Sequence, residues 1–108
     1  ISVKNFNALH RADSSIQILD IRTKPEWLNG VIKGSVLCAK ADIIKSHQCL
    51  EGKLDKKKPV YVYCLMGERV NEVTPYLKAY GYRDVVKICG SMTALKKDLD
   101  SQIVFPEI

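Results

Sequence analysis

The sequence predicts an α/β fold in three layers, a mostly parallel sheet with helices on both faces. Short β-branched apolar runs at 16–21, 36–38, 60–63 and 85–88 alternate with segments whose apolar residues recur at helical spacing. Strands joined through helices need right-handed crossovers, and these distribute the helices over both faces of the sheet. At 108 residues and 46% hydrophobic, the chain is long enough for one domain over 1–108 with one modest core.

Ser2 is placed to cap a first helix, with Val3, Phe6, Leu9 and His10 as its apolar stripe, and Asp13, Ser14 and Ser15 turn the chain out of it. The run 16–21 is nearly all apolar, as in a strand covered on both faces, and Asp20 interrupts it. A carboxylate there needs partners. In a structural role Asp20 caps the next loop while Arg22 pairs with Glu26; in the alternative it takes part directly in catalysis. Thr23 and Pro25 start a short helix carrying Glu26, Trp27 and Leu28, which Asn29 and Gly30 end. Residues 31–35 form a turn before the strand 36–38, where Cys38 reads as a small core residue.

Asp42 is placed to cap a helix over 43–50, with Ile43, Ile44, His47 and Leu50 on one face and Cys49 as an ordinary helix residue. A lysine-rich turn (Lys53, Lys56, Lys57, Lys58) leads into the strand 60–63. Val70, Val73 and Leu77 mark the helix after it, and Gly81 the end of that helix. Cys89 and Gly90 close the strand 85–88. Ser91 or Thr93 then caps a last helix with Leu95 and Leu99, and the tail 103–108 packs back in extended form.

The stretch that points to chemistry runs from Val60 to Arg69, where the strand ends in Cys64 and passes through Leu65, Met66, Gly67 and Glu68 to Arg69. Backbone N–H groups of a tight strand-to-helix loop can converge on one point, and a helix N-terminus adds positive potential there. A cysteine at that point is stabilised as thiolate and becomes a nucleophile near neutral pH. Function in a parallel α/β sheet belongs at the carboxyl ends of the strands. Asp20, Cys38, Cys64 and Cys89 all fall on that edge, and Cys89 is the thiol expected nearest Cys64.

Four cysteines in separate segments, with no C-x-x-C pair and only His10 and His47 to complete a site, argue against zinc. Periodic strand- and helix-forming segments, unlike the loop-rich sequence of a stapled mini-protein, argue against a disulfide framework, so reduced thiols are expected. The net charge of +5 comes from scattered lysines without interleaved aromatics, which reads as solvated surface rather than a nucleic-acid patch. With no long apolar run and no signal-peptide core, the expectation is a cytoplasmic protein that does not enter a membrane.

Three segments in register resemble the rhodanese family in its small single-domain form. Ile18, Leu19, Asp20, Ile21, Arg22 is similar to its early strand ending in Asp-x-Arg. Residues 26–35 (Glu-Trp-Leu-Asn-Gly-Val-Ile-Lys-Gly-Ser) are similar to its Glu-aromatic-x-x-Gly-His-Ile-x-Gly-Ala signature. Cys64, Leu65, Met66, Gly67, Glu68, Arg69 resembles its C-x-x-G-x-R loop. Val31 in place of the signature histidine, Val70 in place of a small polar residue, and Cys89-Gly90 in place of Gly-Gly are departures. The resemblance implies a five-stranded sheet and sulfurtransferase activity with no cofactor. Cys64 would take the outer sulfur of thiosulfate, mercaptopyruvate or a persulfide, and pass it to cyanide, a thiol or a protein acceptor. The amides of Leu65 to Arg69 would cradle the persulfide, with Asp20, Arg22 and Cys89 at the rim or in support, in a monomer or weak dimer.

The rivals are a Cys-based phosphatase, an arsenate or thiol redox enzyme in which Cys89 resolves Cys64, and a regulatory binding module. Phosphatase loops are Cys-x5-Arg, and the spacing here is one residue shorter, a tighter ring suited to a single sulfur. Glu68 partly cancels Arg69, which disfavours the dianion thiosulfate and favours a persulfide donor.

Overall fold

The computed structural model describes residues 1–63, 68–89 and 103–107. Helix α1 (Val3–Ala12) is followed by β1 (Gln17–Asp20), α2 (Lys24–Trp27), β2 (Val31–Ile32), β3 (Val36–Leu37) and α3 (Lys40–Lys45). Then come β4 (Val60–Tyr63), α4 (Glu68–Ala79), β5 (Val85–Lys87) and β6 (Ile103–Val104). Cys64 to Gly67 lie outside the described residues, as do Gly90 and the last helix expected with Leu95 and Leu99.

The main sheet has the order β3-β1-β4-β5, and every pairing in it is parallel. Among the described residues it has four strands rather than five; β2 and β6 pair antiparallel in a separate two-stranded sheet. Val31 and Ile32, expected in a turn, therefore pair with Val104 and Ile103, and the tail packs back as expected. Strand alternation builds the layers. Leu19, Val60 and Val62 face a core with Val70, Val73 and Leu77 of α4 and Ile43 of α3, whereas Ile18 and Tyr63 face one with Val3 and Phe6 of α1.

Ser2 caps α1 by accepting from the Asn5 amide at 3.1 Å, and Asp13 accepts from the Ser15 amide in the turn that follows. The buried face of α1 is Val3, Phe6, Asn7 and His10, with His10 stacked on Phe6 at 5.6 Å between centroids. Burial pushes the His10 pKa down. After α4, Gly81 adopts φ +102°, which lets the Tyr82 amide reach back to the Leu77 carbonyl.

Two expectations need correction. The helix expected over 43–50 runs instead over Lys40–Lys45, because Ala39 rather than Asp42 starts it: its carbonyl accepts from the Asp42 and Ile43 amides. Ser46 is extended, and residues 47–50 form a separate turn closed by the Leu50 amide on the His47 carbonyl. That early stop folds Cys49 back over the end of β3. Cys38 and Cys49, expected as reduced thiols, are joined as a disulfide with Cα atoms 5.9 Å apart.

Leu77 is fully buried and Leu28 is 50% exposed. Urea denaturation should show Leu77→Ala losing about 2–5 kcal/mol and Leu28→Ala changing stability by less than about 0.5 kcal/mol.

Candidate functional site

The carboxyl edge of the sheet is organised by Asp20, the last residue of β1, which is 1% exposed. Its carboxylate accepts from the Arg22 amide (3.0 Å), from Arg22 Nε (3.0 and 3.1 Å) and Nη2 (2.8 Å), and from Trp27 Nε1 (3.1 Å). Arg22 Nη2 also donates to the Gly30 carbonyl at 2.8 Å, and its Cζ lies 5.1 Å from the centre of the Tyr63 ring. Asp20 and Arg22 thus satisfy each other. The carboxylate tethers the helix that follows through Trp27, and the guanidinium reaches its far end at Gly30.

The expected Arg22–Glu26 pair does not form, because Asp20 already takes the Arg22 side chain. Glu26 instead receives Arg69, with Nη1–Oε1 2.8 Å and Nη2–Oε2 3.1 Å. The Thr23 amide and hydroxyl donate to the same Oε1 and close a capping box on α2. These bonds hold the Glu26 pKa down at about 2; Arg69 is the largest cause, and partial burial opposes it.

Arg69 sits in the first turn of α4, and Glu68, at the head of that helix, is exposed. A carboxylate in contact with Arg69 is Glu26, a role the sequence reading missed. A bidentate pair between residues 43 apart leaves no local spacing signal, and the one available hint was the Glu-Trp pair after Asp-x-Arg. A cleft of about 340 Å³ opens here, lined by Ile21, Thr23, Glu26, Ala39, Lys40 and Arg69, with Lys40 paired to Glu72 at 2.7 Å. Cys89 is exposed just beyond β5, its amide donating to the Ile1 carbonyl at 2.7 Å. Cys64, Leu65, Met66 and Gly67 join Tyr63 to Glu68 in the chain and lie outside the described residues, so the distance from Cys64 to Cys89 does too. No cluster of three potential metal ligands occurs among the described residues, and no described helix is long and apolar enough to cross a membrane.

The Glu26–Arg69 pair sets an acid dependence. With its pKa depressed in the folded protein, Glu26 stabilises the fold above its ordinary value of 4.5, and that contribution fades as pH falls towards about 2. Glu26→Gln should cost about 1–3 kcal/mol at pH 7 by urea denaturation, and the gap from the parent protein should close progressively below pH about 4.5.

Among curated proteins none matches the chain. Solved structures do. A rhodanese-like domain protein from Staphylococcus aureus superposes with a TM-score of 0.78 at 25% identity, over 99% of this chain and 97% of its own. A rhodanese-related protein from Thermoplasma volcanium gives 0.74 at 19% identity over 98% and 97%. The human single-domain sulfurtransferase TSTD1 gives 0.71 at 16% identity over 90% and 94%. The model of the rhodanese-like domain matches residues 2–98, which include Asp20, Arg22, Glu26, Cys64 and Arg69, and the chain belongs to the rhodanese-like family.

Proposed function

We propose that this protein is a sulfurtransferase that carries a sulfane sulfur on Cys64 as a persulfide. The observation that carries the reading is the clamp on Arg69, whose guanidinium is held by both Glu26 oxygens in the first turn of α4. Cys64 precedes it by four intervening residues in the sequence, directly after β4. A fixed guanidinium at a helix start and the amides of Leu65, Met66, Gly67, Glu68 and Arg69 would together form the anion cradle. Asp20 and Arg22 act behind the cradle as support, through their hold on α2. Family membership and the fold shared with a human sulfurtransferase support the same reading.

The Cys64 thiolate attacks the outer sulfur of the donor, and the donor's S–S bond breaks. Its electron pair leaves on sulfite when thiosulfate is the donor, or on a thiolate when a persulfide is. Cyanide or a thiolate, free or on an acceptor protein, then attacks the terminal sulfur, and the electron pair of the second S–S bond returns to Cys64 Sγ. One sulfur moves per cycle and the cysteine is regenerated, so the cycle itself calls for no added oxidant or reductant.

Charge at the rim bears on the donor. Arg69 is matched by Glu26 and Lys40 by Glu72, and Glu68 adds a further exposed carboxylate. Such a rim offers little net attraction to dianionic thiosulfate and suits a persulfide donor.

Mass spectrometry after exposure to a sulfur donor should find one added sulfur atom on the peptide containing Cys64, and Cys64→Ala should abolish thiocyanate formation from thiosulfate and cyanide. Phosphate release from a phosphate ester without any thiocyanate would overturn the reading. Glu68→Gln should raise thiosulfate kcat/KM roughly two- to threefold at low salt, an effect that shrinks as salt screens the site; a flat response would remove the electrostatic argument for the donor.

A further inference from the structure

Outside the proposed sulfur-transfer chemistry, the structure pairs two cysteines whose surroundings differ. Cys38 is 1% exposed and fixed at the end of β3: its amide donates to the Asp20 carbonyl at 3.1 Å, and the Lys40 amide to the Ile21 carbonyl at 3.0 Å. Cys49 is half-buried in the turn after α3. The hydrogen bonds of that turn are local, Leu50 to His47 and Lys53 to Leu50, while the fully buried Leu50 anchors it in the core. Opening the bond would therefore remove the turn's covalent tie to β3, leaving Leu50 as its anchor, without unpicking the sheet.

The chain closed between the two cysteines contains all of α3, whose first residues line the cleft beside Arg69. A second cleft, of about 210 Å³, lies against Cys49 and is lined by Asp42, Lys45, Ser46 and Gln48. Cys49 itself is part of that lining, and Lys45 there offers a cation to a carboxylate on an incoming small thiol beside the carboxylate of Asp42.

We propose that Cys38 and Cys49 are a reversible thiol–disulfide couple, exchanged through Cys49 with an anionic low-molecular-weight thiol, and that its redox state sets how firmly α3 is held. In the oxidising direction the Cys49 thiolate attacks one sulfur of a small disulfide and releases one thiolate. Cys38, as thiolate, then attacks Cys49 Sγ of the mixed disulfide and releases the second. Two protein thiols are oxidised and one small disulfide is reduced to two thiols, their protons passing to solvent or to the departing thiolates. Reduction runs the same steps backwards, entering at Cys49 because Cys38 is buried. The pair requires nothing of Cys64, so this proposal stands or falls separately from sulfur transfer.

Glutathione buffers of graded reduced-to-oxidised ratio, followed by acid quench, alkylation and tryptic mapping of the intact protein, test it. In oxidising buffer the peptides 34–40 and 46–53 should appear linked; with rising reduced glutathione they should convert to two singly alkylated peptides, while the far-ultraviolet circular dichroism stays unchanged. On reduction, amide hydrogen exchange over residues 40–50 should rise severalfold and that of β1 and β4 should not change. Cys49→Ser, at the more exposed position, should show the faster exchange in every buffer. Linkage that survives excess reduced glutathione, thiols free at every ratio, or Cys49 linked to Cys64 or Cys89 would each overturn the couple. Exchange over 40–50 that is indifferent to redox state would overturn its hold on α3.

Discussion

The buried ion pair of Asp20 and Arg22 is the contact on which the carboxyl edge of the sheet depends. Two charges exposed by 1% and 3% give up hydration worth several kcal/mol each, and their mutual attraction alone does not reliably offset it. The geometry supplies the remainder: the carboxylate also accepts from the Arg22 amide and the Trp27 indole, and the guanidinium also donates to Gly30 and lies against the Tyr63 ring. Removing one partner would strand the other charge in a closed site, the costly way to break a buried pair.

Position follows from that pair. Arg22 to Gly30 leaves the main sheet, makes one short helix and leads into β2 of the second sheet, and four residues of helix do not hold their shape unaided. The Asp20–Trp27 bond and the Arg22–Gly30 bond fix the excursion near its end, and the capping box fixes its start. Glu26 is thereby presented to Arg69 at the head of α4, so the rigidity of a buried pair at the end of β1 is passed to a cation that follows Cys64 closely in the sequence. Arg69 would then act as a fixed dipole-like partner in the cradle rather than as a free positive charge.

What the sequence disclosed follows from range. The strand 60–63 was legible to the residue because an apolar β-branched run after Pro59 is a local signal, and so were the Ser2 cap of α1 and the Thr23 start of α2. The motif residues were legible through their order and spacing. The pairing of Glu26 was not, since Arg22 is its near neighbour in sequence and Arg69 is reached only through the fold. The Cys38–Cys49 bond was hidden for a related reason. Reading the helix on to residue 50 carried Cys49 away from the sheet, and the stop at Lys45 depends on Ala39 starting the helix, which propensity does not announce. Likewise Asn7 is buried on α1 while Leu9 is only half-buried, so the buried face is not simply the most apolar stripe the helix offers.

The rim cleft lies between parts tied to different supports. Its Glu26 and Thr23 side rests on the Asp20–Arg22 pair; its Ala39 and Lys40 side rests on α3, which leans on α4 through Lys40–Glu72 and through the Tyr80 hydroxyl on the Ile43 carbonyl at 2.6 Å. The exposed Lys40–Glu72 pair contributes little, being well hydrated and screened, so the packing of Ile43 and the covalent tie at Cys38 do most of the holding. One wall is thus fixed by buried electrostatics, and the other by a bond that thiols can open. Any adjustment of the cleft to thiol redox conditions should therefore come from the α3 wall, with Arg69 and Glu26 as the stationary side against which it moves.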